Sequence, residues 1–96
     1  MILAIVHYKA PLEEVDRHVP DHRAFLAKYY AEKKVVFSGR QNPPSGGIIL
    51  FNVDSLEEVR QISAADPFVT NKVARYELIE FKPTMVDERF QIFLPQ

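Results

Sequence analysis

The sequence predicts an α+β domain, because strand-like and helix-like segments follow one another in a recognisable order. Runs rich in apolar and β-branched residues, typical of strands, occupy 2–8, 35–39, 47–53 and 75–81. Helical spacing of apolar residues fills the intervals after the first and third runs. The order β-α-β-β-α-β predicts two helices on one face of a four-stranded antiparallel sheet, which is the ferredoxin-like arrangement.

The first strand and first helix are read from apolar periodicity. Positions 2–6 are apolar without a break, so we expect a central strand that is buried on both faces. After Ala10-Pro11 we expect a short helical turn and then the main helix, which begins at Pro20. Its buried stripe carries the apolar residues Phe25, Leu26, Tyr29 and Tyr30.

The second half is read from turn and capping signals. The stretch "RQNPPSGG" has no room for a helix, so the second and third strands form a hairpin with a long loop. Ser55 and Glu58 have the spacing of a capping box, in which Ser55 caps the helix and Glu58 reaches back. This helix is expected to end near Ala65, and a short extra helix follows.

The C-terminal residues divide the chain into a domain at 1–83 and an extension at 84–96. Phe90, Ile92 and Leu94 alternate along the extension. That pattern predicts either a fifth strand or an arm laid on a partner molecule.

Composition narrows the classes of function. The chain has 96 residues, no cysteine and a formal net charge of −1. Neither disulfides nor thiolate metal sites are possible, and no basic field exists to attract nucleic acid or an acidic membrane. The apolar start is too short for a membrane span and lacks the basic lead of a signal peptide. We therefore expect a cytoplasmic protein.

The uncovered sheet face predicts a homodimer. Two helices can cover one face of a four-stranded sheet, yet the first strand is apolar at successive positions. A second copy of the sheet is the simplest cover for the other face.

Three histidines are the first candidates for chemistry: His7, His18 and His22. His22 precedes Phe25, Leu26 and Tyr29 by three, four and seven residues, so it points toward the sheet. It is either a core histidine or a general acid or base. His18 and His22 have the i, i+4 spacing of a metal pair, but no third ligand is evident and we expect no metal. His7 is expected on the surface or at a dimer contact.

The stretch "SGRQNPPSGG" can be a plain hairpin loop or the mouth of a pocket. In the second case Arg40 would pair with an anionic group of a ligand. It is not a phosphate-binding loop, because the Lys-Ser/Thr pair and the following helix are missing.

Several stretches together resemble the YCII-related (YciI-like) family along nearly the whole chain. They are the apolar first strand, "PDHRAFL", "FSGRQNPPSGGIIL" and above all "AADPFV". The resemblance implies a ferredoxin-like fold assembled as a dimeric α+β barrel. It also implies an active-site His-Asp pair at His22 and Asp66. The serine and glycine typical of the family's second strand fall on Ser38 and Gly39.

Under this resemblance Asp66 caps the short helix and also orients His22, while Pro67 and Phe68 stiffen and wall the pocket. Two positions depart from the family pattern. Arg40 stands where a proline is frequent, and Asn71 stands where a glycine is frequent.

Four functions remain open at this point. The first is a small enzyme without cofactor that uses His22 and Asp66 for isomerisation or elimination on a small organic molecule. The second is a non-catalytic ligand-binding or regulatory module that uses the same pocket. The third is a structural dimer, and the fourth is a cofactor-free oxygenase of the dimeric α+β barrel type.

Overall fold

The computed structural model describes residues 1–94 and contains a four-stranded antiparallel sheet. Its strands are β1 (Ile2–Tyr8), β2 (Val35–Arg40), β3 (Gly46–Phe51) and β4 (Ala74–Glu80), in the spatial order β2-β3-β1-β4. In the centre of the sheet Ala4 lies opposite Ile49 on one side and Leu78 on the other. This order confirms the ferredoxin-like α+β fold expected from the sequence.

Four α-helices accompany the sheet within residues 1–94: α1 (Leu12–Arg17), α2 (Val19–Ala31), α3 (Leu56–Ala64) and α4 (Pro67–Thr70). The main helix α2 begins one residue earlier than expected, with Pro20 in its first turn. Proline is tolerated there because the first N–H groups of a helix have no intrahelical partner.

The core lies between the helices and one face of the sheet. Alternate residues of β1, namely Ile2, Ala4 and Val6, point into it, as the two-residue period of a strand requires. The core also contains Ile49 and Phe51 from β3. The helices supply Val15, Leu26, Val59 and Ile62.

The opposite face of the sheet is apolar but incompletely covered. Leu3 and Ile5 of β1 are only half-buried, so the expectation of a strand buried on both faces is wrong for the single chain. Phe37 is 54% exposed and Ile79 is 42% exposed on the two edge strands. We call this surface the open face; Ile48 and Leu50 complete it.

The start of α3 has half of the expected capping box. The Ser55 hydroxyl accepts a hydrogen bond from the Glu58 N–H at 3.1 Å, as predicted. The Glu58 carboxylate, however, lies 3.1 Å from the Lys34 ammonium, so it pairs with that charge across the fold. This contact is the main reason that the pKa of Lys34 is raised.

The extension does not continue the sheet as a fifth strand. Its residues form 3₁₀ turns over Glu88–Phe93, so the alternation of apolar residues misled the strand interpretation. Phe90 and Phe93 line a groove together with Phe37 and Leu50, at one end of the open face. The last two residues of the predicted 84–96 extension lie outside the described part of the chain.

No helix in residues 1–94 combines the length and the apolar character needed to cross a membrane.

Candidate active site

Asp66 is a buried carboxylate at the junction of α3 and α4. Its backbone is extended, with φ −63° and ψ 130°, and its Oδ1 accepts a hydrogen bond from the Phe68 N–H at 2.9 Å. Pro67 takes the first helical position, where its missing N–H costs nothing. The side chain is 0% exposed, so its charge must be balanced by donors within the protein.

His22 supplies one of those donors from α2. Its Nδ1 lies 2.9 Å from both Asp66 oxygens. The imidazole also stacks on the Phe68 ring, with centroids 3.9 Å apart and an interplanar angle of 5°. A carboxylate at the edge and an aromatic ring against the face fix both the position and the rotation of the imidazole.

Tyr76 of β4 is a second side-chain donor to Asp66 and was missed in the sequence. Its hydroxyl donates to Asp66 Oδ2 at 2.5 Å. Burial, and then the Asp66 charge and hydrogen bond, raise the pKa of Tyr76 far above its ordinary value of 10.0. Strand alternation could have placed Tyr76 on the core face of the sheet, because Tyr76 lies opposite the core residue Val6 and shares its face.

The hydrogen bonds define which ring nitrogen of His22 is available. An ionised carboxylate only accepts hydrogen bonds, so Nδ1 carries the proton and donates it in the hydrogen bond to Asp66. Neutral imidazole then has its lone pair on Nε2. Within residues 1–94 no protein group hydrogen-bonds to Nε2, and the His22 side chain is 15% exposed.

A cavity of about 530 Å³ opens beside His22, between α2 and the sheet. Its volume lies in the range of small-ligand pockets. His22 and Phe68 form part of its wall, together with apolar side chains of β1, α2 and β3, namely Val6, Val19, Leu26 and Ile49. The histidine–aspartate contact therefore opens into a cavity and is not sealed in the core.

Arg40, which the sequence offered as one side of a pocket mouth or as part of a plain hairpin loop, lies on the wall of this cavity. Its Nη2 donates to Asp16 Oδ1 at 2.6 Å and its Nε donates to the Tyr8 hydroxyl at 3.1 Å. These hydrogen bonds, that to Asp16 first, raise the pKa of Arg40 further above its ordinary value. Asp16 and Tyr8 also line the cavity and were not singled out from the sequence.

Of the other predicted site residues, Ser38 and Gly39 line the cavity and Pro67 does not. The Ser38 hydroxyl lies 2.6 Å from the Tyr30 hydroxyl. A Cβ added at Gly39 would meet nothing within 4 Å, so packing inside one chain does not require glycine there. Pro67 acts instead at the start of α4.

The remaining histidines do not join this site. His18 Nε2 lies 3.7 Å from Glu14, and His7 Nε2 lies 2.8 Å from Glu77. Residues 1–94 contain no group of three or more His, Cys, Asp or Glu side chains placed to hold a metal ion.

Fold and site together define a ferredoxin-like α+β domain in which a histidine on the wall of a cavity contacts a buried carboxylate. The chain belongs to the YCII-related domain family, whose pattern it matches over residues 1–82. It is 35% identical over 65 residues to the uncharacterised protein YjpA of Bacillus subtilis, an alignment covering 68% of this chain and 76% of YjpA.

A solved structure shares the fold. This is 5-chloro-2-hydroxyhydroquinone dehydrochlorinase (TftG) from Burkholderia phenoliruptrix, in complex with 2,5-dihydroxybenzoquinone. The TM-score is 0.71 and the sequence identity is 19%, with 85% of this chain and 94% of TftG covered.

Proposed function

We propose that the protein is a small enzyme in which His22, oriented by Asp66, moves a proton during elimination or isomerisation of a small organic molecule. One observation carries the proposal. A buried carboxylate fixes Nδ1 of a histidine whose other nitrogen has no hydrogen-bond partner in the described part of the chain, and that histidine lines a cavity. General bases of this kind work when a second group fixes the tautomer.

The chemical step follows from the Nε2 lone pair. Nε2 takes a proton from a C–H or O–H group of the substrate, and the electron pair of that bond stays on the substrate. In an elimination the pair forms a new double bond while a leaving group departs with its own electrons. In an isomerisation the proton returns to a different atom. The positive charge that develops on the imidazole faces the Asp66 carboxylate, which stabilises it.

The fold neighbour supports an elimination as one form of this chemistry. Its name describes removal of hydrogen chloride from a chlorinated hydroquinone, and its bound ligand is a small quinone. At 19% identity this likeness extends to the fold alone, so the reaction type in this protein remains part of the proposal.

The experiment is a turnover screen of small phenols, halogenated hydroquinones and 2-hydroxy acids against four proteins. They are the wild type, His22→Gln, Asp66→Asn and the control His18→Gln. Loss of a general base costs about 10²–10⁴-fold in rate, so the turnover rate of His22→Gln should be lower than that of wild type by that factor. Asp66→Asn should also fall, because an amide can hydrogen-bond Nδ1 in the wrong tautomer.

His18→Gln removes a histidine four residues away that does not line the cavity, and it should retain wild-type activity. Circular dichroism of each variant separates loss of folding from loss of chemistry. Equal activity of wild type and His22→Gln would contradict the proposal. Ligand binding by wild type with no turnover of any compound that binds would instead identify a non-catalytic binding module.

A further inference from the structure

Two arginines line the cavity, and they differ in how their charges are balanced. Arg40 is held by Asp16 and by the Tyr8 hydroxyl. Arg23, the residue after His22 on α2, is exposed, and no carboxylate of residues 1–94 lies within 4.0 Å of its guanidinium. One cation on the cavity wall is therefore neutralised and the other is not.

The ionised side chains on the cavity wall carry a net charge of +1. Arg23 and Arg40 contribute two positive charges and Asp16 contributes one negative charge. Behind the wall, Asp66 is committed to His22, Tyr76 and the Phe68 N–H. When His22 accepts a proton, its new charge is balanced by Asp66. Among the cavity-lining side chains of residues 1–94, the positive charge without a carboxylate partner is then that of Arg23.

We infer that the cavity binds a small organic monoanion whose anionic oxygen is held by Arg23 and whose body lies against the apolar wall. This inference rests on the proposed function for the position of the reacting atoms, but not for binding. The oxygen can belong to a carboxylate or to a phenolate, because a guanidinium donates charge-assisted hydrogen bonds to either. A neutral analogue of the same shape brings no negative charge to the Arg23 guanidinium and should therefore bind more weakly.

Asp16 has a defined part in this selectivity. Its hydrogen bond keeps Arg40 occupied, so the wall presents one available positive charge and not two. Asp16→Asn removes the negative charge and raises the net charge of the wall from +1 to +2. Anion affinity should therefore increase in this variant, which is the opposite of what loss of a ligand contact would produce.

The test measures binding by NMR titration, with two probe pairs matched in shape: benzoate with benzamide, and para-nitrophenolate with para-nitroaniline. Gly39 and Gly47 line the cavity, so their amide signals report binding there. Wild type should prefer each anion to its neutral partner. Arg23→Gln should lose about tenfold or more in anion affinity, because the charge-assisted hydrogen bond to the anion is lost. Its affinity for the neutral probes should not change.

Arg60→Gln is the matched control, because Arg60 is an exposed arginine of α3 outside the cavity. It should bind all four probes as wild type does, and Asp16→Asn should bind the anions several-fold more tightly. Equal affinity of wild type for the charged and neutral probes, or equal losses in Arg23→Gln and Arg60→Gln, would overturn the inference. Neither outcome involves turnover, so each is distinct from failure of the His22→Gln test. Preference for only one of the two anions identifies which oxygen acid the site takes.

Discussion

Asp66 connects three separate elements through two oxygen atoms. It accepts from the Phe68 N–H of α4, from the His22 imidazole of α2 and from the Tyr76 hydroxyl of β4. A buried carboxylate needs such donors to remain ionised. The same residue therefore holds three elements together and fixes the position of the histidine.

Tyr76→Phe tests this assembly through pH. At neutral pH the free energy of unfolding of the variant should be about 1.5–3 kcal/mol lower than that of wild type, because a hydrogen bond to a charged group is lost. The raised pKa means that folded Tyr76 keeps its proton while the unfolded chain loses it above the ordinary value of 10.0. The tyrosine's contribution to stability is thus complete below that pH and decreases as pH rises beyond it.

Urea unfolding of both proteins from about pH 8 to about pH 11 measures the difference. The stability gap should be constant at first and then narrow by up to about 1.4 kcal/mol per pH unit. The other tyrosines and the lysines titrate in both proteins and cancel. A gap that stays constant to the highest pH would show that Tyr76 does not hold its proton more tightly in the folded state.

Sequence reasoning found the His22–Asp66 pair but not the tyrosine behind it. The helical spacing of apolar residues predicted that His22 points toward the sheet, and the family resemblance identified Asp66 as its partner. Tyr76 has the same strand alternation as any core tyrosine, and nothing local distinguishes one that bonds a carboxylate ten residues earlier. Arg23 was missed for a similar reason, since pairing of surface arginines depends on the three-dimensional positions of carboxylates.

At the scale of the element, boundaries followed local signals to within about two residues, as usual for helix and strand ends. The strand predicted at 47–53 is Gly46–Phe51, and the strand predicted at 75–81 is Ala74–Glu80. The capping box failed at Glu58 because a long-range partner, Lys34, competes for its carboxylate. The spacing of Ser55 and Glu58 predicts only the local capping contact and carries no information about a distant lysine.

Ser55→Ala tests the half of the cap that did form. Loss of the hydrogen bond from the Glu58 N–H should cost about 1 kcal/mol of folding stability. Thermal and urea unfolding measure the change. The control is Ser45→Ala, an exposed loop serine whose hydroxyl makes no hydrogen bond within residues 1–94. Equal stability of the two variants would mean that the cap contributes nothing.

At the scale of the whole molecule, the topology was predictable and the extension was not. Four strands and two main helices in this order leave few possible arrangements, and the observed one has the most common connections. The extension carries apolar residues, but the sequence does not show which surface they pack against. Its Phe90 and Phe93 pack near Phe37 of its own sheet in 3₁₀ turns, while Met85 and Ile92 remain 90% and 81% exposed.

We expect two copies of the protein to pair through their open faces. Phe37, Leu50, Leu3 and Ile79 form an apolar row across all four strands, and contiguous exposed apolar surface of this kind marks interaction sites. A permanent pair of this kind would bury above ~2,000 Å² in total. Light scattering at low micromolar concentration should give about twice the chain mass of 11.1 kDa.

Ile79→Glu sharpens the test, because Ile79 lies on the open face opposite Leu3 and is already 42% exposed. A carboxylate there costs little in a monomer but would be buried without a partner in the dimer. The variant should therefore dissociate to the chain mass while keeping its circular dichroism. Gln61→Glu adds the same charge to the exposed side of α3 and should remain a dimer. A wild-type mass near 11.1 kDa, or an Ile79→Glu protein that stays paired, would show that the open face is not the interface.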